Sequence, residues 1–185
     1  MKKTNSGFTL IELIVAVGVA GIVMGIAIPS FQSSIKNNRI TSETNRLVSD
    51  IQLARSEAMK RSTRVILCRS AAPTVSTPTC SGTANTWSTG WLVFTSGDAN
   101  NTYESATDTL LKIAQPVAGS ITIRTNSASN KNLEFNADAS TNEAGGTARF
   151  SICDERGTNY GKQLDVPPVG RPRLQSTVSS CTSPV

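Results

Sequence analysis

The pattern of apolar and polar positions begins with a long apolar segment. Residues 8–28 form a run of 21 positions that is interrupted by a single charge, Glu12. At a rise of about 1.5 Å per residue, a helix of this length crosses the hydrocarbon layer of a membrane, which is about 30 Å thick. An ordinary secretory signal peptide has a shorter apolar core followed by a small-residue cleavage site. The run therefore predicts a membrane-spanning helix.

Beyond Pro29 the pattern becomes that of an amphipathic helix, which is expected to end near residues 62–63. Apolar residues recur at offsets of three, four and seven positions. They are Ile40, Leu47, Val48, Ile51, Ala54, Ala58 and Met59. The opposite face carries seven cations with three acids interleaved, and charges of both signs are typical of an exposed or subunit-facing stripe. We predict that residues 8–29 span the membrane and that residues 30–63 pack on the rest of the chain.

From residue 64 onward the pattern changes to short β-rich runs bounded by Gly, Ser, Asn and Thr. Eight strands are predicted, at residues 64–68, 91–95, 110–114, 121–125, 132–136, 147–153, 162–166 and 171–175. The polar stretches between them are predicted to be loops, the longest at residues 70–86, 125–131 and 139–146. The pattern predicts an α+β fold, in which a long N-terminal helix packs on an antiparallel β-sheet head formed by residues 64–185.

The four cysteines indicate disulfides rather than a metal site. The spacing of Cys68, Cys80, Cys153 and Cys181 lacks the Cys-x2-Cys element of zinc sites. Disulfides require that the head lies outside the cytoplasm. Three connectivities are possible, and we favour Cys68 with Cys80 and Cys153 with Cys181 because each closes a local loop. No metal and no other cofactor is expected.

The absence of histidine lowers the expectation of catalysis. It removes the Ser-His-Asp and Cys-His arrangements of nucleophilic enzymes and the commonest ligand for transition metals. Asp154 and Glu155 are adjacent carboxylates, but neighbours on a strand point to opposite faces, and a turn ending at Gly157 explains them better. We expect that the protein is not an enzyme.

The formal charge of +5 is concentrated at the two ends of the chain. Lys2 and Lys3 precede the apolar run and are expected to hold that end in the cytoplasm, which sends the head across the membrane. From residue 166 onward the chain has two arginines and no acid. This tail fits either an anionic partner or an ordinary solvated basic surface.

The tail contains the sequence Gly170-Arg171-Pro172-Arg173. In an extended chain the two arginines lie on one side about 7 Å apart, and their guanidinium groups suit bidentate contacts with phosphate or guanine. Gly170 removes side-chain bulk that would keep the backbone away from a ligand, and Pro172 confines the segment to a sheet edge or loop.

Trp87 and Trp91 flank a turn. Exposed aromatic rings at such a place stack on nucleobases, but the interpretation we favour is that both rings pack the sheet against the long helix.

The segment Gly7-Phe8-Thr9-Leu10-Ile11-Glu12, followed by an apolar helix, resembles the prepilin signature of type IV pilins and type II secretion pseudopilins. This resemblance implies that a prepilin peptidase cuts after Gly7, removes residues 1–7 as a leader and methylates the new amino terminus on Phe8. It also implies that Glu12 pairs with the amino terminus of a neighbouring subunit. Two opposite charges among apolar helices compensate each other, whereas either one alone is costly.

A second resemblance covers essentially the whole chain and is to the FimT/GspH group of minor pilins and pseudopilins. It is carried by Cys68, residues 87–94, residues 153–157 and residues 170–173. In the FimT branch, a C-terminal Gly-Arg-x-Arg motif is associated with DNA binding during natural transformation. Gly170, Arg171 and Arg173 match that motif, and Pro172 at its variable position makes the tail more rigid. Lys162 and Arg156 lie nearby in sequence and are expected to extend the basic patch.

The resemblances imply a pilin-like fold and a single-pass protein of the bacterial inner membrane. Its amino terminus is cytoplasmic and its head periplasmic, until the subunit enters an extracellular pilus. The expected partners are DNA, bound through its phosphates without sequence preference, together with other pilins and prepilin peptidase. The alternative is a purely structural subunit that primes or caps assembly of a pilus or a type II secretion pseudopilus and has no DNA role.

Overall fold

The computed structural model of the protein describes residues 7–82, 86–98, 100–126, 132–142 and 146–182. The predicted leader as far as residue 6, with Lys2 and Lys3, lies outside these ranges. Parts of the three longest predicted loops also lie outside them, at residues 83–85, 127–131 and 143–145. The chain forms two compact units, one reaching as far as Asn38 and the other beginning at Arg39.

The first helix, α1, spans Leu10–Arg61, and its N-terminal part forms the first unit. Thr9 caps the helix: its hydroxyl accepts a hydrogen bond from the backbone N–H of Glu12 at 3.3 Å, and its carbonyl accepts one from Leu13 at 3.2 Å. A capping hydroxyl satisfies a backbone donor that has no partner within the helix. This local chemistry explains why the helix starts at Leu10.

The first unit exposes its apolar side chains on every side. All the large apolar residues from Phe8 to Phe31 are exposed. Among the described residues, α1 is the one helix long and apolar enough to cross a membrane, and its most apolar window has a mean hydropathy of 2.5. Apolar surface of this extent requires lipid or a partner rather than water.

The part of α1 that belongs to the second unit is amphipathic, as its periodicity predicts. Its buried apolar residues are spaced by three, four and seven positions, namely Ile40, Leu47, Ile51, Ala54 and Ala58. Met59 differs from the prediction because its side chain is 45% exposed. The helix ends where Ser62 adopts a φ of 49° and the N–H of Thr63 donates to the Ala58 carbonyl at 3.2 Å, which closes the last turn.

The eight predicted strands are all present, each within two residues of its expected limits. They are β1 (Val65–Arg69), β2 (Trp91–Thr95), β3 (Thr109–Ala114), β4 (Thr122–Thr125), β5 (Asn132–Phe135), β6 (Ala148–Cys153), β7 (Lys162–Val166) and β8 (Arg173–Gln175). They form two antiparallel four-stranded sheets, a first sheet of order β3-β2-β1-β5 and a second of order β4-β6-β7-β8. The predicted α+β fold is confirmed, with the β-structure divided between two sheets.

The core lies where α1 and the inner faces of both sheets meet. Trp87 and Trp91 are buried in it, and the Trp87 ring meets Phe150 edge-on with ring centroids 5.2 Å apart. Neither indole is available to a nucleobase, so the packing interpretation of the two tryptophans holds. Aromatic pairs in this geometry stabilise a core beyond the area they bury.

A buried charge links α1 to the first sheet. Asp50 of α1 is fully buried and accepts a hydrogen bond from Trp91 Nε1 at 2.9 Å. The same carboxylate forms an ion pair with Lys112 of β3. The guanidinium of Arg46 lies 4.8 Å from the Trp91 ring centroid and donates to the Gln115 carbonyl at 2.9 Å. A buried carboxylate is costly without partners. The contacts of Asp50 with Trp91 and Lys112 therefore fix which part of the helix packs on the first sheet.

Both disulfides have the connectivity favoured from the sequence. Cys68 bonds to Cys80 with the Cα atoms 5.5 Å apart, and Cys153 bonds to Cys181 with the Cα atoms 5.8 Å apart. The first holds a loop over the outer face of the first sheet, beside a small apolar cluster that includes Phe94. The second ties the segment after β8 to the end of β6.

Candidate functional site

The Gly-Arg-Pro-Arg segment begins at a tight turn after β7. The N–H of Gly170 donates to the Pro167 carbonyl at 2.8 Å, and Gly170 has a φ of +70°. Gly170 is buried, and a Cβ at this position would lie 2.0 Å from the Ala139 carbonyl oxygen. The missing side chain therefore serves the close approach of two protein segments. This corrects the expectation that the missing side chain leaves room for a ligand, because Ala139 occupies that space.

The segment that Gly170 contacts is itself held in place. The N–H of Thr141 donates to the Pro168 carbonyl at 2.8 Å, which ties the loop after β5 to the turn after β7. Asp138 Oδ1 accepts hydrogen bonds from the Ser140 hydroxyl at 2.6 Å and the Ser140 N–H at 2.9 Å. These bonds favour the ionised carboxylate and hold the pKa of Asp138 below its ordinary value. The backbone leading to Arg171 is thus anchored both by its own turn at Gly170 and by the loop after β5.

Arg171 and Arg173 are both exposed. Neither side chain has a hydrogen bond or an ion pair with another residue in the described part of the chain. Arg173 is the first residue of β8, the edge strand of the second sheet, and its backbone lies opposite Asp165 of β7. The strand starts two residues later than predicted because Pro172 has no N–H to give to a ladder. Two guanidinium groups therefore face solvent at this edge.

The structure does not bring Lys162 into that surface. Lys162 lies opposite Ile152, whose side chain is in the core, so the two side chains share the inner face of the second sheet. Its Nζ donates to the Thr41 hydroxyl of α1 at 2.9 Å. Asp165 lies three positions farther along β7, and it shares the outer face of the sheet with its partner on β8, Arg173. Nearness in sequence is misleading here because residues separated by an odd number of positions on a strand point to opposite faces of the sheet.

Arg156 is also removed from the arginine pair. It lies in the turn between β6 and β7, at the other end of the second sheet, and this turn closes with a hydrogen bond from Gly157 to the Asp154 carbonyl. Its guanidinium is 2.8 Å from the Asp154 carboxylate and 4.2 Å from the Tyr160 ring centroid. With its side chain only 15% exposed, Arg156 is neutralised within its own turn.

Sequence reasoning missed Arg149 of β6. Its backbone lies opposite Asp165, so Arg149, Asp165 and Arg173 form one row across three strands on the outer face of the second sheet. We call these three residues the outer row. The sequence of β6 indicates this position of Arg149. Side chains alternate between the two faces of a strand, and because Phe150 and Ile152 are buried in the core, Arg149 must point to the outer face.

A recess of about 290 Å³ lies beside the outer row. It is bounded by the side chains of Gln163 and Gln175 and by residues 177–179, which follow β8. The Cys153–Cys181 disulfide and the buried side chain of Val178 hold this segment against the sheet. In the described ranges no group of three or more His, Cys, Asp or Glu could hold a metal ion. The arrangement combines the cationic side chains of Arg149, Arg171 and Arg173 with neutral hydrogen-bonding groups and one carboxylate, that of Asp165.

Comparisons with known proteins place the chain in a family. The family model described as type II transport protein GspH matches residues 43–170, more than half of the 185-residue chain. The prokaryotic N-terminal methylation motif matches residues 2–28. A stretch of 55 residues is 42% identical to the type IV major fimbrial protein FimA of Dichelobacter nodosus, and it covers 28% of this chain and 35% of FimA. The match thus spans about a third of that relative.

Among solved structures, the fold is similar to that of the type IV minor pilin FimU of Pseudomonas aeruginosa, with a TM-score of 0.58 and 20% identity. The match covers 79% of this chain and 97% of FimU in one crystal form, and 76% and 98% in another. At this identity the likeness shows a common fold.

The methylation motif and the exposed apolar helix indicate a membrane-anchored, pilus-associated protein. The chain belongs to the GspH family, and it is a pilin of the FimT/GspH type, the class of minor type IV pilins and pseudopilins.

Proposed function

We propose that this minor pilin binds extracellular DNA through Arg171 and Arg173, and that the binding serves DNA uptake in natural transformation. The observation that carries the proposal is a pair of exposed guanidinium groups without partners in the described part of the chain, on a backbone anchored at Gly170. A guanidinium can donate two parallel hydrogen bonds to one phosphate. Because the backbone is already fixed, the entropy lost when DNA binds is mainly the rotamer freedom of the two arginine side chains.

The proposed mechanism is electrostatic. Contacts with phosphates fix the position of the protein on DNA but carry no sequence information, so binding has weak sequence preference. Each neutralised phosphate releases counterions, which makes the affinity fall steeply as salt rises. Two phosphate contacts give weak binding by one head, and several heads on one filament strengthen it through effective concentration.

We further propose how the chain reaches the filament. A prepilin peptidase removes residues 1–7 by cutting after Gly7, and the amino group of Phe8 is methylated. Residues 8–29 then span the bacterial inner membrane with a cytoplasmic amino terminus, residues 30–63 form the amphipathic part of the helix, and the head of residues 64–185 lies in the periplasm until the pilus carries it outside. The match to the N-terminal methylation motif and the exposed apolar helix support this route.

Glu12 has a proposed role in assembly. Its carboxylate lies within the apolar part of α1, is exposed, and has no partner among the residues that the structure describes. A lone carboxylate in lipid is costly, so a partner charge from a second subunit stabilises the assembled state. We propose that the partner is the amino group of Phe8 in a neighbouring pilin.

The second candidate function is structural: a subunit that primes or caps a pilus or a type II secretion pseudopilus without binding DNA. The family model that matches residues 43–170 is named for type II transport and ends before Arg171, which favours this candidate. Both functions need the same N-terminal helix. They differ because DNA binding requires Arg171 and Arg173, whereas the structural function does not.

An experiment in the source bacterium separates the two candidates. Cells producing the Arg171→Gln/Arg173→Gln chain are compared with wild-type cells for uptake of labelled DNA and for surface pili. The DNA-binding function predicts that uptake falls at least tenfold while pili remain normal. The matched control is Lys60→Gln/Arg61→Gln, which removes two exposed cations from the end of α1. Unchanged uptake in the arginine variant, together with loss of filaments on deletion of the chain, establishes the structural function instead.

A further inference from the structure

We infer that Arg149 is a third phosphate-binding residue and that Asp165 limits the strength of the site, so that a DNA backbone crosses the outer row of the second sheet. The inference rests on the proposed DNA binding by Arg171 and Arg173. It extends the site from the tail segment onto β6 and β7, and it gives an acidic residue a defined role.

The strand register places the three side chains together. Arg149 lies opposite Asp165, and Asp165 lies opposite Arg173. Residues directly opposite on antiparallel strands project from the same face. Because neighbouring strands are about 4.8 Å apart, the Cα atoms of Arg149 and Arg173 are separated by roughly 10 Å, with Asp165 between them. Two long arginine side chains at this spacing can contact neighbouring phosphates of one strand.

Arg149 is only weakly held by the protein. Its Nε lies 3.9 Å from Asp165 Oδ1, which is beyond hydrogen-bonding distance, and this Nε has no hydrogen-bond acceptor. Asp165 Oδ1 instead accepts a hydrogen bond from Gln163 Nε2 at 2.9 Å. The Arg149 side chain is 37% exposed although its Nε is buried, so the rest of the guanidinium can exchange the Asp165 carboxylate for a phosphate.

The charges on the outer face favour an anion. The outward positions of the second sheet that the structure describes carry three cations, Arg124, Arg149 and Arg173, and one acid, Asp165. Arg124 donates to the Thr86 hydroxyl at 3.1 Å and lies outside the outer row. Arg171 adds a further positive charge at the edge. Asp165 thus offsets one of the cations that a phosphate would meet, and its removal should strengthen binding.

The recess beside the outer row fits the same ligand. It is lined by Arg149 and Asp165 of the outer row, by the side-chain amides of Gln163 and Gln175, and by residues 177–179. Neutral donors next to cations suit a sugar-phosphate backbone, in which charged and uncharged oxygens alternate. The recess thus lies where a strand held by Arg149 and Arg173 would pass.

The test measures binding of labelled double-stranded DNA to the full chain in non-ionic detergent at several salt concentrations. Arg149→Gln should lower the affinity about threefold to tenfold and reduce the salt slope by about 1, because one phosphate contact is lost. Asp165→Asn should raise the affinity by a similar factor, since it removes a repulsive charge without changing the side-chain shape. Lys60→Gln is the matched control, and thermal melting verifies that each variant is folded.

The outcomes separate this inference from the function on which it rests. If Arg149→Gln and Asp165→Asn both behave like Lys60→Gln while loss of Arg171 and Arg173 weakens binding, the third contact is wrong and the proposed function stands. If the wild-type chain does not bind DNA, both are wrong. Should Arg149→Gln fail to fold, the rise in affinity expected for Asp165→Asn still decides the matter. Binding to acidic phospholipid vesicles but not to DNA would assign the outer row to a membrane surface instead.

Discussion

Gly170 combines two constraints that no other residue type satisfies. Its φ of +70° lies in the left-handed region, and a Cβ would lie 2.0 Å from the Ala139 carbonyl oxygen. The two segments come within contact although 31 positions separate them in the chain. The match of this glycine to a motif is visible in the sequence. The reason why position 170 requires glycine is not visible there, because it depends on contact with Ala139, a residue far away in the sequence.

We expect Gly170→Ala to lower the free energy of unfolding by about 2 kcal/mol or more, from backbone strain together with displacement of Ala139. Gly157→Ala is the matched control, because Gly157 has a φ of +83° but open space around the Cβ position. Gly157→Ala should lose only the free energy that comes from backbone strain, about 1 kcal/mol. Denaturant unfolding of both variants measures the difference, and equal losses would show that contact with Ala139 is unimportant.

Asp138 gives the loop beneath Gly170 a defined dependence on pH. Hydrogen bonds from Ser140 lower the pKa of Asp138 in the folded state. The unfolded value is about 3.9, so the stabilising contribution is complete above about pH 5. It is lost as the pH falls through the unfolded value towards the lower folded-state pKa.

We therefore expect the stability of Asp138→Asn to fall less steeply than that of the wild type between pH 5 and pH 3. Unfolding by urea at a series of pH values measures these slopes. Ser140→Ala removes the stronger of the two donors, and it should reduce the slope in the same direction but to a smaller extent. Identical slopes in all three proteins would contradict the assignment of the pKa shift to Ser140.

At the scale of elements, Asp50 joins α1 to β2 and β3. It is the fully buried partner of Trp91 and of Lys112. We expect Asp50→Ala to lower the free energy of unfolding by about 3 kcal/mol, because it leaves the buried indole N–H without an acceptor and a partly buried ammonium without its counter-charge.

Denaturant unfolding tests this prediction with two comparisons. Asp50→Asn keeps an acceptor for Trp91 and should lose less than Asp50→Ala. Glu57→Ala removes an acid that pairs with Arg61 on the exposed end of α1, and it should have little effect on stability because exposed ion pairs contribute little. If Asp50→Ala is no more harmful than Glu57→Ala, the buried network does not hold the helix to the sheet.

The sequence predicts the elements well because they depend on local patterns. The apolar run and the helical periodicity along α1, and the short β-rich runs bounded by Gly, Ser, Asn and Thr, locate every element to within two residues. The division into two sheets could not be predicted, since it depends on pairings such as β1 with β5, which are distant in sequence. The misplaced Lys162 was avoidable: it shares its strand face with Leu164 and Val166, which are core residues.

At the scale of the whole molecule, the proposed assembly function and the proposed DNA-binding function rest on different units of the chain. The first unit offers an apolar helix with Glu12, and the second presents Arg171 and Arg173 at an edge of its second sheet. In the proposed filament the helices are buried and the arginine edges are repeated wherever this minor subunit occurs. Weak contacts by each head then act together on one DNA molecule.

We expect Glu12→Ala to leave the protein in the membrane but to impair its entry into pili, because the charge that compensates the neighbouring amino terminus is lost. Fractionation of cells followed by detection of the chain in membranes and in sheared pili measures both effects. Thr9→Ala is a useful companion, since it removes the helix cap but keeps the carboxylate. Normal incorporation of the Glu12 variant would refute the pairing.

The salt dependence of DNA binding by the full chain is the decisive test of whether Arg171 and Arg173 bind DNA. The logarithm of the binding constant is measured against the logarithm of salt concentration for the wild type, Arg171→Gln/Arg173→Gln and Lys60→Gln/Arg61→Gln, all in non-ionic detergent. The arginine variant is expected to bind at least tenfold more weakly and to show a salt slope smaller by about 2, whereas the control keeps a slope close to that of the wild type. An arginine variant with unchanged affinity and slope would contradict DNA binding at this site.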